Sequence, residues 1–310
     1  MEAFGAFDGS SNLPRATKNK PQAILNVLIH LHSRGYAEST LKGLSKKLKH
    51  LNRHANLADP ESVIKYISTK DNPNTENLLA NAYNNYAKYY NIPWEKPVYR
   101  KSESPIKVPT EENINHIINN VLSLKRKVAY GILKDTGIRP IELHKLKLEN
   151  IDLERGLIYI RSAKHGNPRT LKLKTQTLAN LKTLMAKMKP AFSQQLFASP
   201  DRLSMNWREE RTRAYGRTGN PEFLKIRLYD LRHYYATKLY QTTRDILRVK
   251  TSLGHKNIQN TIRYTHIVSF KDEEYHSATA KTIKEAKELI ESGFEFVTDM
   301  QGMKIFRKRK

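Results

Sequence analysis

Residues 261–266 read TIRYTH, and Tyr264 in this segment lies nine positions after His255, which ends the LGH segment at 253–255. The segment is too polar for an ordinary core element, since an arginine and a histidine flank the tyrosine. A tyrosine on a short helix more often packs than reacts, so this segment alone decides nothing. The basic residues upstream of it make Tyr264 a candidate nucleophile.

Arg139, Lys164 and Arg232 precede His255 in the chain, in an order that allows the four residues to surround one phosphate. Cleaving a phosphodiester without water requires an in-line nucleophile, cations on the non-bridging oxygens and a proton for the leaving 5′-oxygen. The nucleophile must also lose its own proton. Arginine suits the second task because it stays charged and grips two oxygens at once. The pattern needs no metal and no cofactor, and we expect neither.

The composition fits a polyanionic partner. The 310 residues carry 55 Lys and Arg against 30 Asp and Glu, which gives a net charge of +25 and a sequence pI near 10.0. Such an excess favours nucleic acid or an anionic membrane surface, and the spread of the charge through apolar-periodic segments favours nucleic acid. There is no cysteine, which excludes disulfides and thiolate metal sites. With no apolar run of bilayer-spanning length, we expect a cytoplasmic, nucleoid-associated protein.

Helical patterns dominate the chain, so the predicted fold class is mainly α with a small β-sheet. The sheet includes a hairpin of residues 156–161 and 169–173 with Lys164 at its tip. We also predict a helix over about 271–290 and a terminal hairpin of 294–297 with 303–306. The predicted divisions are a flexible N-terminus (1–19), a helical DNA-binding domain (20–92), a proline-rich linker (93–109), a catalytic domain (110–290) and a C-terminal hairpin with a basic tail (291–310).

One predicted helix of the first domain carries four lysines beside its apolar face. A solvated surface explains any single lysine of this kind, but four on one short helix favour contact with the DNA backbone. The four candidates are Lys42, Lys46, Lys47 and Lys49.

Five segments of the chain together resemble the tyrosine recombinases, or integrases, including their Xer-type and archaeal members, and the resemblance covers nearly the whole chain. Each segment is weak evidence alone, whereas the ordered set is specific. The segments are TGIRPIEL at 136–143, AKHGNPR at 163–169, DLRHYYAT at 230–237, LGH at 253–255 and RYTH at 263–266.

The resemblance implies a role for each matched residue. The catalytic set is Arg139, Lys164, Arg232, His255 and Tyr264, with Lys164 as the acid for the 5′-oxygen. Glu142 takes the position of the carboxylate that supports the first arginine, and His233 resembles a structural residue. The chain departs from the family three positions before the second arginine, where Tyr229 replaces the usual His or Lys and leaves the proton acceptor unassigned.

The resemblance implies two domains that clamp duplex DNA, strand cleavage through a 3′-phosphotyrosyl intermediate, and a tetramer on two DNA sites. Two alternatives remain open at this point: a type IB-like topoisomerase with the same phosphate chemistry, and a catalytically silent DNA-binding protein. A covalent protein–DNA adduct separates an enzyme from a binder. The joining of two DNA molecules separates a recombinase from a topoisomerase.

Overall fold

The computed structural model of the chain describes residues 20–99, 106–161, 166–265, 275–300 and 302–309. The chain separates into two compact units between residues 105 and 106. This boundary falls inside the stretch predicted as a linker, and the finer five-part division stays a prediction.

The first unit is helical, as its apolar periodicity indicates. Its helices are α1 (Lys20–Ser33), α2 (Glu38–His54), α3 (Pro60–Ile67) and α4 (Pro73–Tyr89). Helices α3 and α4 each begin with a proline after a capping residue: Asp59 accepts a hydrogen bond from the Glu61 N–H, and Asn72 accepts one from the Asn74 N–H. One apolar core joins all four helices.

The second unit contains the candidate site. Its first part comprises α5 (Glu111–Asn119), α6 (Leu124–Thr136), α7 (Pro140–His144), a 3₁₀ turn (Leu148–Asn150), β1 (Ile151–Asp152), β2 (Leu157–Ile160) and β3 (Arg169–Lys172). It continues through α8 (Thr175–Met188), α9 (Pro200–Thr218), α10 (Glu222–Lys225), α11 (Asp230–Thr243), α12 (Ile246–Leu253) and α13 (Gln259–Ile262). In its core, the rings of Tyr130 and Trp207 meet edge to face at 4.8 Å.

Strands β1, β2 and β3 form an antiparallel sheet in that order. Ile160 pairs with Arg169 at the end of the two strands next to the segment that connects them, so the predicted hairpin is confirmed. Lys164, at its predicted tip, lies outside the described residues.

The C-terminal part of this unit differs from the prediction. Residues 271–290 were expected to form one helix, but β4 (Tyr275–Ala280) precedes a shorter helix, α14 (Ile283–Glu291). The terminal hairpin, β5 (Glu295–Met300) with β6 (Met303–Arg309), is confirmed, and β6 also pairs with β4 to give a sheet in the order β4-β6-β5. Residues 275–280 form a strand rather than a helix because β6, from a later part of the sequence, pairs with them.

The predicted fold class, mainly α with small β-sheets, is confirmed. None of the described helices is long and apolar enough to span a membrane.

Candidate active site

The turn that carries Arg139 depends on Gly137. Helix α6 ends there because Gly137 takes the left-handed conformation, at φ 60°, and donates its N–H to the Leu133 carbonyl. The Tyr235 ring packs so closely on this glycine that a side chain would collide with it. Arg139 then precedes Pro140 at the start of α7, so a short rigid turn fixes the backbone of the first arginine.

Glu142 holds Arg139 from within the same turn. Its carboxylate accepts hydrogen bonds from the Arg139 backbone N–H at 2.9 Å and from Arg139 Nη1 at 3.1 Å. Burial alone would raise the pKa of Glu142, but its hydrogen bonds and ion pair with Arg169, together with Arg139, hold that pKa below its usual value. Glu142 is therefore a buried anion.

Arg169 is a residue that the sequence analysis did not single out. Its guanidinium grips Glu142 with two nitrogens, Nη2 to Oε2 at 2.8 Å and Nη1 to Oε1 at 3.3 Å, and its Nε donates to the Ser252 carbonyl at 2.7 Å. Arg169 thus ties β3 both to the turn of Arg139 and to the end of α12. In the sequence Arg169 looks like an ordinary strand residue, and its position within the hairpin segment is the one signal that could have pointed to it.

Arg232 lies at the centre of the site and is only 2% exposed. Its Nη1 donates to the Gly137 carbonyl, and its Nη2 faces the Leu253 carbonyl at 2.8 Å and His255 Nε2 at 2.9 Å. Burial, followed by repulsion from Arg139, lowers its pKa to about 10, so it stays charged at neutral pH. Its Nε is buried and has no hydrogen-bond partner in the described part of the chain.

The contacts of His255 determine its tautomer. An arginine can only donate, so Nε2 of His255 must accept from Arg232. The ring proton is then on Nδ1, which donates to Thr261 Oγ1 at 2.9 Å. Burial and the neighbouring Arg232 lower the pKa of His255 to about 4, so the ring is neutral at pH 7. Thr261, fully buried, is a second residue that the sequence analysis missed.

Tyr264 is 2% exposed and packs in a small cluster with Ala236, Val249 and Leu253. Its hydroxyl lies 3.1 Å from His233 Nδ1. Burial raises the pKa of Tyr264 to about 12, and Arg232 opposes that rise.

Tyr229 lies at the edge of this site. Its ring meets that of His233 edge to face at 5.2 Å, and the residue is 45% exposed. It contacts the residue that bonds Tyr264, yet it is not part of the buried core.

The structure brings most of the predicted site residues into the second unit's core. Arg139 and Glu142 are hydrogen-bonded to each other, and Arg232 is bonded both to His255 and to the Gly137 carbonyl in the turn of Arg139. His233, the residue after Arg232, bonds the Tyr264 hydroxyl. Lys164 lies outside the described residues. The four predicted DNA-contacting lysines lie on α2 in the first unit, where Lys42 is paired with Glu38 at 2.8 Å.

Within the described ranges, no cluster of three or more His, Cys, Asp or Glu side chains has a metal-binding arrangement. The guanidinium groups of Arg139, Arg169 and Arg232 outnumber the single carboxylate of Glu142 in the site, and this excess of positive charge suits an anionic ligand.

Comparison with known proteins identifies the family. Residues 107–269, more than half of the chain, match the model of the phage integrase family. The chain belongs to this family. The predicted likeness to tyrosine recombinases is confirmed, and this integrase-family chain is a tyrosine recombinase, an enzyme of DNA recombination. Nothing in the comparisons favours a topoisomerase or a silent DNA-binding protein.

Relatives of known name include the tyrosine recombinase XerA of Pyrococcus furiosus, which is 28% identical over 222 residues, spanning 68% of this chain and 72% of the relative. XerA of Saccharolobus solfataricus is 27% identical over 187 residues, spanning 60% of this chain and 61% of the relative. The second alignment thus covers somewhat less than two thirds of that relative's length.

Solved structures show the same fold at lower identity. A lambda integrase dimer bound to a core site superimposes with a TM-score of 0.61 at 15% identity, over 82% of this chain and 79% of that one. The XerH recombinase bound to its difH substrate gives a TM-score of 0.54 at 21% identity, over 73% and 77% of the two chains.

Proposed function

We propose that Tyr264 attacks a phosphodiester of duplex DNA, forming a 3′-phosphotyrosyl linkage and releasing a 5′-hydroxyl. The observation that carries this proposal is the position of Arg232. One buried guanidinium bonds the Gly137 carbonyl two residues before Arg139, and it also bonds His255. The next residue along its helix bonds the Tyr264 hydroxyl.

Arg139 and Arg232 bind the non-bridging oxygens of the scissile phosphate in this proposal. The Nε of Arg232, which has no partner among the described residues, supports it, because a buried donor with no acceptor is costly unless a ligand supplies one. Removing a single preorganised donor from comparable sites costs roughly 3–4 kcal/mol in transition-state stabilisation. His255 is neutral in this state and contributes by fixing Arg232 Nη2 rather than by adding a positive charge.

Lys164 delivers the proton to the leaving 5′-oxygen in this proposal. The motif similarity supports this role, and the anchoring of the same hairpin by Arg169 supports it further. Because Arg169 binds both Glu142 and the Ser252 carbonyl, the base of the hairpin is held against the arginine site. Lys164 lies five positions before Arg169 in the sequence, and in this proposal it reaches the phosphate from this hairpin.

Strand exchange follows when the 5′-hydroxyl of a second DNA strand attacks the phosphotyrosine, which conserves the energy of the broken bond. Exchange between two sites requires four protomers, so we propose a tetramer on DNA that acts in the cytoplasm at the nucleoid. The solved relatives bound to DNA support duplex DNA as the partner. In this proposal Lys42, Lys46, Lys47 and Lys49 contact the DNA backbone.

The test is the Tyr264→Phe variant, which keeps the ring and removes the nucleophilic oxygen. We expect duplex binding within a few-fold of the unaltered protein and no SDS-resistant protein–DNA adduct. Tyr215→Phe is the matched control, since Tyr215 lies on α9 and is 39% exposed. An adduct that persists in Tyr264→Phe would show that another residue is the nucleophile.

A further inference from the structure

The hydroxyl of Tyr264 has to lose a proton, and the family's usual position for the acceptor does not supply one here. That position holds Tyr229, and a neutral phenol is a poor proton acceptor. The demand is high because burial raises the pKa of Tyr264 to about 12. Another group near this oxygen must therefore take the proton.

His233 Nδ1 lies 3.1 Å from the Tyr264 hydroxyl, with the two rings 5.8 Å apart and tilted by 50°. Both side chains are buried, at 8% and 2% exposure. A neutral phenol has a single proton to donate, and leaving that proton without an acceptor in a buried place is costly. His233 Nδ1 is the acceptor that the described residues offer, so it carries the lone pair and the ring proton is on Nε2.

Charged groups from each neighbouring segment face His233. Asp230 lies one turn earlier on α11 and favours the protonated ring, whereas Arg263, Arg227 and Arg232 disfavour it. Burial, the largest influence, lowers the pKa of His233 below 6.5. The imidazole is thus neutral near pH 7 and able to accept a proton.

We propose that His233 is the proton acceptor for Tyr264 in strand cleavage and takes over the task that the family gives to a residue at position 229. The inference rests on Tyr264 being the nucleophile. As the Tyr264 oxygen forms its bond to phosphorus, the phenol proton passes to His233 Nδ1 and the bond from phosphorus to the 5′-oxygen breaks. In the rejoining step, His233 returns this proton to the departing phenolate.

The bound phosphodiester makes this transfer feasible. Its negative charge favours the imidazolium that forms on His233, while Arg139 and Arg232 stabilise the charge that develops on the phosphate and the phenolate oxygen. The proton moves during bond formation, so free phenolate never accumulates.

The first experiment measures single-turnover cleavage of a duplex substrate from pH 6.5 to 9 with the full chain and its His233→Asn variant. We expect the unaltered protein to show a nearly flat rate, because His233 is already neutral throughout this range. The variant should be slower by roughly 10²–10³-fold at pH 7 and should speed up about tenfold per pH unit, since only the ionised fraction of Tyr264 then reacts. His116→Asn, which replaces a histidine stacked on Phe223 elsewhere in the unit, should behave like the unaltered protein.

The second experiment separates proton acceptance from simple positioning. Tyr264 is replaced by a fluorinated tyrosine with a more acidic phenol, in both the unaltered and the His233→Asn backgrounds. If His233 accepts the proton, the rate ratio between the two backgrounds should shrink at least tenfold. An unchanged ratio would mean that His233 only orients the ring, and would overturn the inference.

Further outcomes keep this inference distinct from the function proposed above. If the His233→Asn variant matches the unaltered protein in rate and pH profile, His233 is not the proton acceptor, and the assignment of Tyr264 as the nucleophile still stands. If the Tyr264→Phe variant forms an adduct, Tyr264 is not the nucleophile. If His233→Asn fails to bind duplex DNA, His233→Gln serves in its place. An unaltered protein whose rate rises tenfold per pH unit across the whole range would overturn the inference without any variant.

Discussion

Two parts of the site are held in different ways. We define the arginine network as Arg139, Glu142, Arg169 and Arg232. Most of these side chains are each held by several charge-assisted hydrogen bonds. The tyrosine pair, His233 and Tyr264, is joined at the Tyr264 hydroxyl by a single described hydrogen bond of 3.1 Å.

The difference fits the roles proposed above for the two parts. Groups that bind a phosphate act best when they are fixed before the substrate arrives, because no reorganisation is then needed during reaction. A nucleophile has to leave its resting hydrogen bond and form a bond to phosphorus. A tyrosine locked by several partners would resist that movement, so one proton-accepting contact serves it better.

The largest effect is expected at Lys164, a residue that belongs to neither the arginine network nor the tyrosine pair. Lys164→Ala should slow cleavage of normal DNA by about 10²–10⁴-fold, because the 5′-oxygen then leaves without a proton. The variant should recover on a substrate with sulfur in place of the bridging 5′-oxygen, since a thiolate needs no proton to leave. Single-turnover rates on both substrates measure this, with Lys172→Ala, an exposed lysine on β3 of the same hairpin, as the control. A variant that stays slow on the sulfur substrate would make Lys164 a phosphate-binding residue instead.

Glu142→Gln should damage the arginine network as a whole. Loss of the buried charge leaves Arg139 and Arg169 without their counter-ion, and we expect the free energy of unfolding to fall by about 3 kcal/mol. Urea denaturation measures the change. Glu149→Gln is the matched control, because Glu149 is exposed and pairs with Lys147 at 3.6 Å, a surface pair of less than about 1 kcal/mol. If the two substitutions lowered the free energy of unfolding equally, the buried Glu142 would stabilise the protein no more than a surface ion pair does.

Tyr229→Phe should have a smaller effect, below about tenfold on the cleavage rate. The residue is 45% exposed, so loss of its hydroxyl leaves no deeply buried group without a partner. Its ring remains against His233 in the variant. Single-turnover cleavage at pH 7 measures the effect. A loss as complete as that of Tyr264→Phe would place essential chemistry at Tyr229 and remove His233 from the role proposed above.

Substitutions outside the site should change binding and leave the chemistry intact. Lys46→Gln with Lys49→Gln should reduce the slope of log K against log salt by about 0.9 for each lost phosphate contact. The cleavage rate at saturating DNA should stay within about twofold. Lys65→Gln on α3 is the control, and binding isotherms at several salt concentrations give the slopes. An unchanged slope would exclude α2 as a DNA-contacting helix.

The segments that form the candidate site could be located in the sequence because each lies in a short, local pattern. Gly137 ends a helix and Arg139 precedes a proline, and both features can be read without tertiary information. The contacts that join the segments were not predictable: Arg169 meets Glu142 from 27 residues away, and His233 meets Tyr264 from 31. Such distances depend on the packing of α11 and β3, which no local pattern specifies.

The error over residues 271–290 has a different origin. The start of α14 was marked in the sequence by Thr282 and Glu285, which form a capping box in the structure. The predicted helix also included residues 275–280, which instead form β4 and pair with β6. A non-local partner again decides the outcome.

The close approach of Gly254 to the hairpin limits which segments can be exchanged between family members when chimeric enzymes are designed. Gly254 is left-handed at φ 64°, and a Cβ at this position would lie 2.7 Å from Arg169 Nη1 and 3.0 Å from the Asn167 carbonyl oxygen. The hairpin and the loop before His255 are therefore shaped to each other across 85 residues of chain. A chimera that exchanges one without the other joins mismatched surfaces, so grafts between family members should keep residues 139–255 as one block.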